Sequence, residues 1–134
     1  MAVGMARLLR GEAVRAVTSE MVAAARRYSP STAAMMTSAI DEARAGVGPE
    51  VTLNRLRAWA AHEAISAAVY LLERHPDNPA AAILEGANTP GDSDSIATLG
   101  GALTGVRNGA RRLPERWVLD VERSGPLLEL ALSV

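Results

Sequence analysis

The chain contains no cysteine, no lysine and few aromatic residues, and each absence narrows what it can be. Without cysteine there are no disulfides and no thiolate metal sites, so any metal chemistry must use oxygen donors or the two histidines, His62 and His75. All 14 basic residues are arginine, set against 15 acidic ones. The resulting formal net charge of -1 gives no basis for nucleic acid or an anionic membrane surface as the main partner. Hydrophobic residues make up 49% of the chain but aromatics only 3%, and much of the apolar content is alanine, which favours close-packed helices over a bulky aromatic core. No window approaches the roughly 20 apolar residues of a membrane span. Arg7 and Arg10 interrupt the opening stretch too early for a signal peptide. The expectation is a soluble cytoplasmic protein, and 134 residues suit a single domain.

What is present is helical periodicity. Between residues 12 and 27, Ala13, Val14, Val17, Met21 and Ala24 recur at three- and four-residue spacing, predicting a helix with one buried stripe. Pro30 ends it and starts a second helix, which runs to about Arg44 and is closed by the Gly46 to Pro49 stretch. A short segment over residues 52–57 leads to a helix over residues 59–73. Its small residues, with Trp59 and Leu71 on the same side, predict the most buried helix of the chain. His62 reads as a surface histidine, and His75 as a charge at the C-terminal end of that helix. Asn78 and Pro79 have the cap and first-turn chemistry of a following helix that reaches Gly86. Residues 96–106 contain Gly101 and Gly105, and glycine in a helix costs about 1 kcal/mol relative to alanine. Intimate helix packing is the expected compensation. Two shorter helices follow, one opened by Pro114 with Trp117 as its anchor, and one over residues 126–132. No sustained period-two alternation occurs, so the predicted fold class is all-α, a compact orthogonal helical domain.

The stretch with the densest chemistry lies between residues 88 and 97. It reads Asn88-Thr-Pro-Gly-Asp-Ser-Asp-Ser-Ile-Ala97, and Asp92, Asp94 and the hydroxyl of Ser95 offer hard oxygen donors of the kind a magnesium-like cation prefers. Ile96 and Ala97 stand where a calcium-binding loop would need a ligand and a glycine, which excludes an EF-hand. On spacing alone, the better reading of the same residues is a cap for the helix that follows.

The surroundings of this turn carry a resemblance. Gly91-Asp-Ser-Asp-Ser-Ile-Ala97, then Gly101-Ala-Leu-Thr-Gly105 and Leu113-Pro-Glu-Arg-Trp117, resemble the C-terminal signature of the ADP-ribosylglycohydrolases, which include the dinitrogenase reductase-activating glycohydrolase. Ala87-Asn88, Trp59 with Glu63-Ala64, and Ala6-Arg-Leu-Leu-Arg-Gly11 extend the match upstream, so the whole chain is similar to the second half of that family. The resemblance implies an all-α enzyme that holds two divalent ions, usually magnesium. Such enzymes hydrolyse the glycosidic bond between ADP-ribose and a protein side chain or related acceptor. By position, Asp92, Asp94 and Ser95 are the implied metal ligands. Asp92 and Asp94 act catalytically through the bound ion and water, and Asn88 and Gly91 shape the rim near the substrate.

One element of the family pattern is missing. The family completes its metal site from an N-terminal Thr-Asp-Asp-Thr segment, and this sequence has no Asp-Asp pair. Asp41-Glu42 is the nearest substitute, but it lies inside a predicted helix without flanking hydroxyls. The expectation is therefore a truncated or split ADP-ribosylglycohydrolase, inactive alone, with a complementary N-terminal fragment or self-association as its route to a complete site. Its other partners would be an ADP-ribosylated protein or an ADP-ribose-type ligand. The alternative is a non-catalytic helical interaction module, or an ADP-ribose-binding module, derived from the same family.

Overall fold

The computed structural model describes residues 1–133, and its regular elements are helices, with no strand among the described residues. They are α1 (Ala2–Leu9), α2 (Val14–Tyr28), α3 (Pro30–Arg44), α4 (Pro49–Arg55), α5 (Ala61–Arg74), α6 (Pro79–Ala87), α7 (Ser93–Asn108), α8 (Glu115–Leu119) and α9 (Ser124–Leu132), with a 3₁₀ turn at Ala110–Arg112 between α7 and α8. The all-α expectation holds.

The element boundaries follow local chemistry. Ser29 is extended and its hydroxyl accepts the Thr32 N–H at 3.3 Å, while Pro30 occupies the first turn of α3, where its missing N–H has no helical partner to lose. Asn78 and Pro79 repeat the device at α6, with Asn78 Oδ1 accepting the Ala81 N–H at 3.0 Å. The α2 stripe is Val17, Thr18, Met21 and Val22. Ala13, expected on that stripe, is instead the exposed N-cap residue.

Helix α5 is the centre of the molecule. Every residue from Ser66 to Leu72 is buried, and α3, α6 and α7 pack around it. One side joins a core of Leu8, Val17, Met36, Ile40, Val69 and Leu103, and the other joins Leu53, Leu56, Tyr70, Leu71, Ala82 and Ile96. Polar contacts pin the same helix. The Glu73 carboxylate, 5% exposed, accepts from Thr18 Oγ1 at 2.6 Å, Arg44 Nη2 at 2.6 Å and Arg44 Nε at 3.1 Å, joining α2, α3 and α5. Tyr70 donates its phenolic proton to the Val47 carbonyl at 2.7 Å, and burial pushes its pKa up to about 12. His75 stands at the C-cap of α5 as expected and contacts the Glu85 carboxylate. His62 is exposed, also as expected.

Close helix approach does occur on α7, at Gly101 as expected but not at Gly105. A Cβ at Gly101 would lie 2.8 Å from Ile83 Cγ1, and one at Gly100 would run into the Leu71 side chain at 2.6 Å. Gly105 faces open space. From α6, Gly86 meets the α7 backbone, with a Cβ there only 2.9 Å from Ala97 Cα. The packing therefore runs through Gly86 of α6 against α7, Gly100 against α5 and Gly101 against α6, rather than along a regular four-residue stripe.

Both tryptophans depart from expectation. Trp59 lies outside α5 and is 72% exposed, because Ala58 takes a left-handed φ of 61° and Ala60 is extended, so that the helix begins only at Ala61. Trp117 is half-buried on α8, which has no buried residue and follows the last helix of the core. Helix α9 buries no residue, and Leu127, Leu128, Leu130 and Leu132 are open to solvent. No helix is long and apolar enough to cross a membrane among the described residues.

Candidate metal half-site

Helix α7 starts at Ser93, three residues earlier than the apolar run indicated, so the two carboxylates straddle its first turn. Asp92 is the N-cap residue and Asp94 lies in the first turn, where a negative charge complements the free amides of the helix end. The Asp92 side chain makes no capping hydrogen bond to those amides. Its main-chain carbonyl accepts the Ile96 N–H at 3.1 Å, the ordinary first bond of a helix, while its carboxylate lies beside Asp94 and Ser95. That carboxylate is held below the usual carboxylate range, first by the Asp94 side chain and then by the Ser95 hydroxyl.

Residues 57–60 position this turn. The Asp92 N–H donates to the Arg57 carbonyl at 2.8 Å, clamping the start of α7 to the segment between α4 and α5. Gly91, with a φ of 97°, lies against Arg57 so closely that a Cβ would be 2.9 Å from Arg57 Cα and closer still to its carbonyl oxygen. The positive φ at Ala58 costs about 1–2 kcal/mol for a residue with a side chain. Burial of Ala58, at 3% exposure, and the Arg57 to Asp92 hydrogen bond offset that cost. Arg57 is itself anchored through Nε to the Asn54 carbonyl at 3.3 Å.

Asp92, Asp94 and Ser95 come together on one pocket of about 400 Å³, which Thr98 and Leu99 of the same helix and Ala58, Trp59, Ala60, Ala61 and Ala64 of the preceding segment also line. Ser95, Thr98 and Leu99 share a face of α7 through three- and four-residue spacing. Asn88 and Gly91 do not line this pocket. Asn88 donates its side-chain amide to the Leu84 carbonyl at 2.7 Å and borders a separate depression with Glu50, Asn54 and Glu85. Gly91 supplies the turn rather than the lining.

The Asp41-Glu42 pair is elsewhere. Asp41 borders a groove between α2 and α3. Glu42 accepts from Thr52 Oγ1 at 2.6 Å, Arg55 Nη2 at 2.6 Å and Ser38 Oγ at 2.8 Å, which ties α3 to α4. Burial alone would raise its pKa, but these hydrogen bonds and the Arg55 charge outweigh burial and hold it below the ordinary value. Neither residue lines the Asp92 pocket.

The donor chemistry at Asp92, Asp94 and Ser95 suits a hard dication in kind. In number it is short of the roughly six oxygens such an ion takes. Among the described residues no group of three or more histidine, aspartate or glutamate side chains is placed to hold a metal ion. Sequence reasoning missed residues 57–60 as part of the site. Trp59 entered the family resemblance, but as an aromatic flanked by alanines it reads as helix interior rather than as pocket lining.

Neither the curated proteins nor the solved structures contain a match to this chain. A family model described as ADP-ribosylglycohydrolase matches residues 1–134, the full length of the chain. With a signature turn that places its two carboxylates and a hydroxyl on one pocket, and a family match from end to end, the chain belongs to the ADP-ribosylglycohydrolase family.

Proposed function

We propose that this chain supplies one half of a two-cation centre that hydrolyses the glycosidic bond between ADP-ribose and a protein side chain or related acceptor. The convergence of Asp92, Asp94 and Ser95 on a single pocket carries this reading. Those three residues would hold a magnesium-like ion from one side, with the remaining ligands supplied by water, by the substrate and by a segment bearing the family's Thr-Asp-Asp-Thr element. When bound, dications of this kind orient the ribose and lower the pKa of a water for attack on the glycosidic carbon.

The chain's own contribution is preorganisation. The Arg57 carbonyl fixes the Asp92 backbone, and Gly91 allows the turn to approach it. Asn88 supports the outer flank of the same turn through the Leu84 carbonyl. On this reading residues 1–134 correspond to the C-terminal half of the enzyme, and they are inactive without the complementary ligands.

The test is hydrolysis of ADP-ribosyl-arginine in magnesium by the purified chain, with and without a co-expressed family segment that carries Thr-Asp-Asp-Thr. Activity is expected only in the combination, and only with Asp92 and Asp94 intact. Hydrolysis by the chain alone overturns the inactivity, and its absence from every combination overturns the catalytic role.

The exposed leucines of α9 favour a second reading, a non-catalytic interaction module, since apolar patches on soluble chains mark association sites. Self-association indifferent to magnesium and ADP-ribose, in a chain that no partner segment activates, is the outcome that supports it.

A further inference from the structure

Residues 110–132 leave both their apolar and their charged groups unused within the chain. Helix α9 has one charged residue, Glu129, and at about 3.6 residues per turn its four leucines spread around more than half of its circumference. A helix of that character is normally covered. Here no other helix packs extensively on α8 or α9 among the described residues, and Leu119, Val121 and the four leucines are each at least 47% exposed. The 3₁₀ turn and α8 add an apolar hollow of about 320 Å³, lined by Ala110, Leu113, Val118 and Leu119 between Arg111 and Glu115.

The charges repeat the pattern. Arg111, Arg112, Arg116 and Arg123 stand against Glu115, Asp120, Glu122 and Glu129, four of each sign, and all eight are exposed. None of them enters an ion pair among the described residues, whereas Arg7, Arg44, Arg55, Arg74 and Arg107 of the body each do.

This balance selects the occupant. A partner with a strongly acidic or basic surface is best met by a face of the opposite sign. A face carrying equal numbers of both signs is complementary to a rotated copy of itself, as an isologous contact about a two-fold axis requires. Its shape has the same property, since projecting leucines and an apolar hollow occur on one segment. An apolar centre with charges around it is also the usual anatomy of a protein interface.

We propose that residues 110–132 are the dimer face of this chain and that their partner is a second copy. The α9 leucines of each copy seat against the α8 hollow of the other, and the arginines pair with the acidic residues across the two-fold axis. One short helix with its neighbours makes a small interface, so the dimer is of the transient class. The segment follows the C-terminal end of α7, whose 16 residues span about 24 Å from Asp92. Dimerisation is therefore separable from the carboxylate pocket and compatible with either function proposed above.

The test is sedimentation equilibrium of the full chain over a concentration series. Three variants are run beside it: Leu127→Ser with Leu130→Ser; an all-acidic face with Arg111, Arg112, Arg116 and Arg123 each replaced by Glu; and an all-basic face with Glu115, Asp120, Glu122 and Glu129 each replaced by Arg. Circular dichroism should show the same helix content in all four proteins, because every altered side chain is exposed. The intact chain is expected to dimerise reversibly with a micromolar dissociation constant, and the double serine variant to weaken this by about tenfold or more. Like charges facing one another across an interface repel, so each single-sign variant should be monomeric alone, while an equimolar mixture of the two recovers a dimer. A monomeric intact chain, assembly beyond the dimer, or dimerisation unaffected by the serines overturns the proposal. So does a single-sign variant that dimerises by itself, or a mixture of the two that stays monomeric.

Discussion

Gly91 is where a single methyl group would do the most damage to the site. Its φ of 97° disfavours any side chain, and a Cβ would meet backbone atoms of Arg57, which cannot swing away as a flexible side chain can. Gly91→Ala should therefore cost about 1–3 kcal/mol and lower the melting temperature by several degrees in a thermal scan. The effect belongs to the turn, so Asp92 would also shift relative to Trp59.

A second residue sets a pH dependence. Glu42 is held below its ordinary pKa of 4.5 by Thr52, Arg55 and Ser38 in spite of its burial. A carboxylate depressed in the folded state stabilises fully above its unfolded pKa, and that stability is lost as pH falls through the folded value. Denaturant midpoints should therefore decline on acidification below about pH 4.5, and Glu42→Gln should flatten that part of the profile while lowering stability at neutral pH.

The residue scale is also where sequence reading was strongest and weakest. Asp92, Asp94 and Ser95 were legible because carboxylates and hydroxyls cluster in so few positions, and the structure puts them on one pocket. Trp59 was misread as helix interior, since nothing in an alanine-flanked aromatic announces a left-handed Ala58 one residue earlier.

Among elements, α5, α6 and α7 decide how near the site's backbone can approach the core. Gly86 meets the Ala97 backbone and Gly100 meets Leu71, so alanine at either position forces α7 away from its neighbours. Gly86→Ala should destabilise by about 1–3 kcal/mol through overpacking. Gly105 has nothing within 4 Å of its would-be Cβ and lies inside α7. Gly105→Ala should stabilise by up to about 1 kcal/mol, because it removes the entropic penalty of glycine without a clash. Chemical denaturation of the two variants gives opposite signs if the packing is as described.

Helix existence was readable from periodicity and from the proline and cap residues at α3 and α6, where local chemistry determines the start. The beginning of α7 was not, because Ser93 to Ser95 are polar and the hydrophobic period only starts at Ile96. The contributing glycines could not be chosen from the sequence either. Which of Gly100, Gly101 and Gly105 faces a neighbour depends on how α5 and α6 are placed around α7, and that is a tertiary fact.

At the scale of the molecule, the body and its end behave differently. Two cores share α5, while α8 and α9 bury no residue and expose a row of leucines. Truncation after Leu119 should leave the melting temperature within about 2 °C of the intact chain, since surface changes of this kind fall within about 0.5 kcal/mol. It should also reduce any self-association seen by sedimentation.

The central claim is that the α7 turn is the ligand-bearing half of a divalent-cation centre and not merely a helix cap. Asp92 has no side-chain capping bond to lose, so Asp92→Asn and Asp94→Asn each remove one carboxylate charge while keeping side-chain size. Calorimetric titration of magnesium into the intact chain and these two variants separates the roles. The account predicts that either substitution weakens magnesium binding by about tenfold or more, the equivalent of about 1.4 kcal/mol, without lowering the metal-free melting temperature. Superimposable magnesium isotherms for the intact chain and both variants would contradict it.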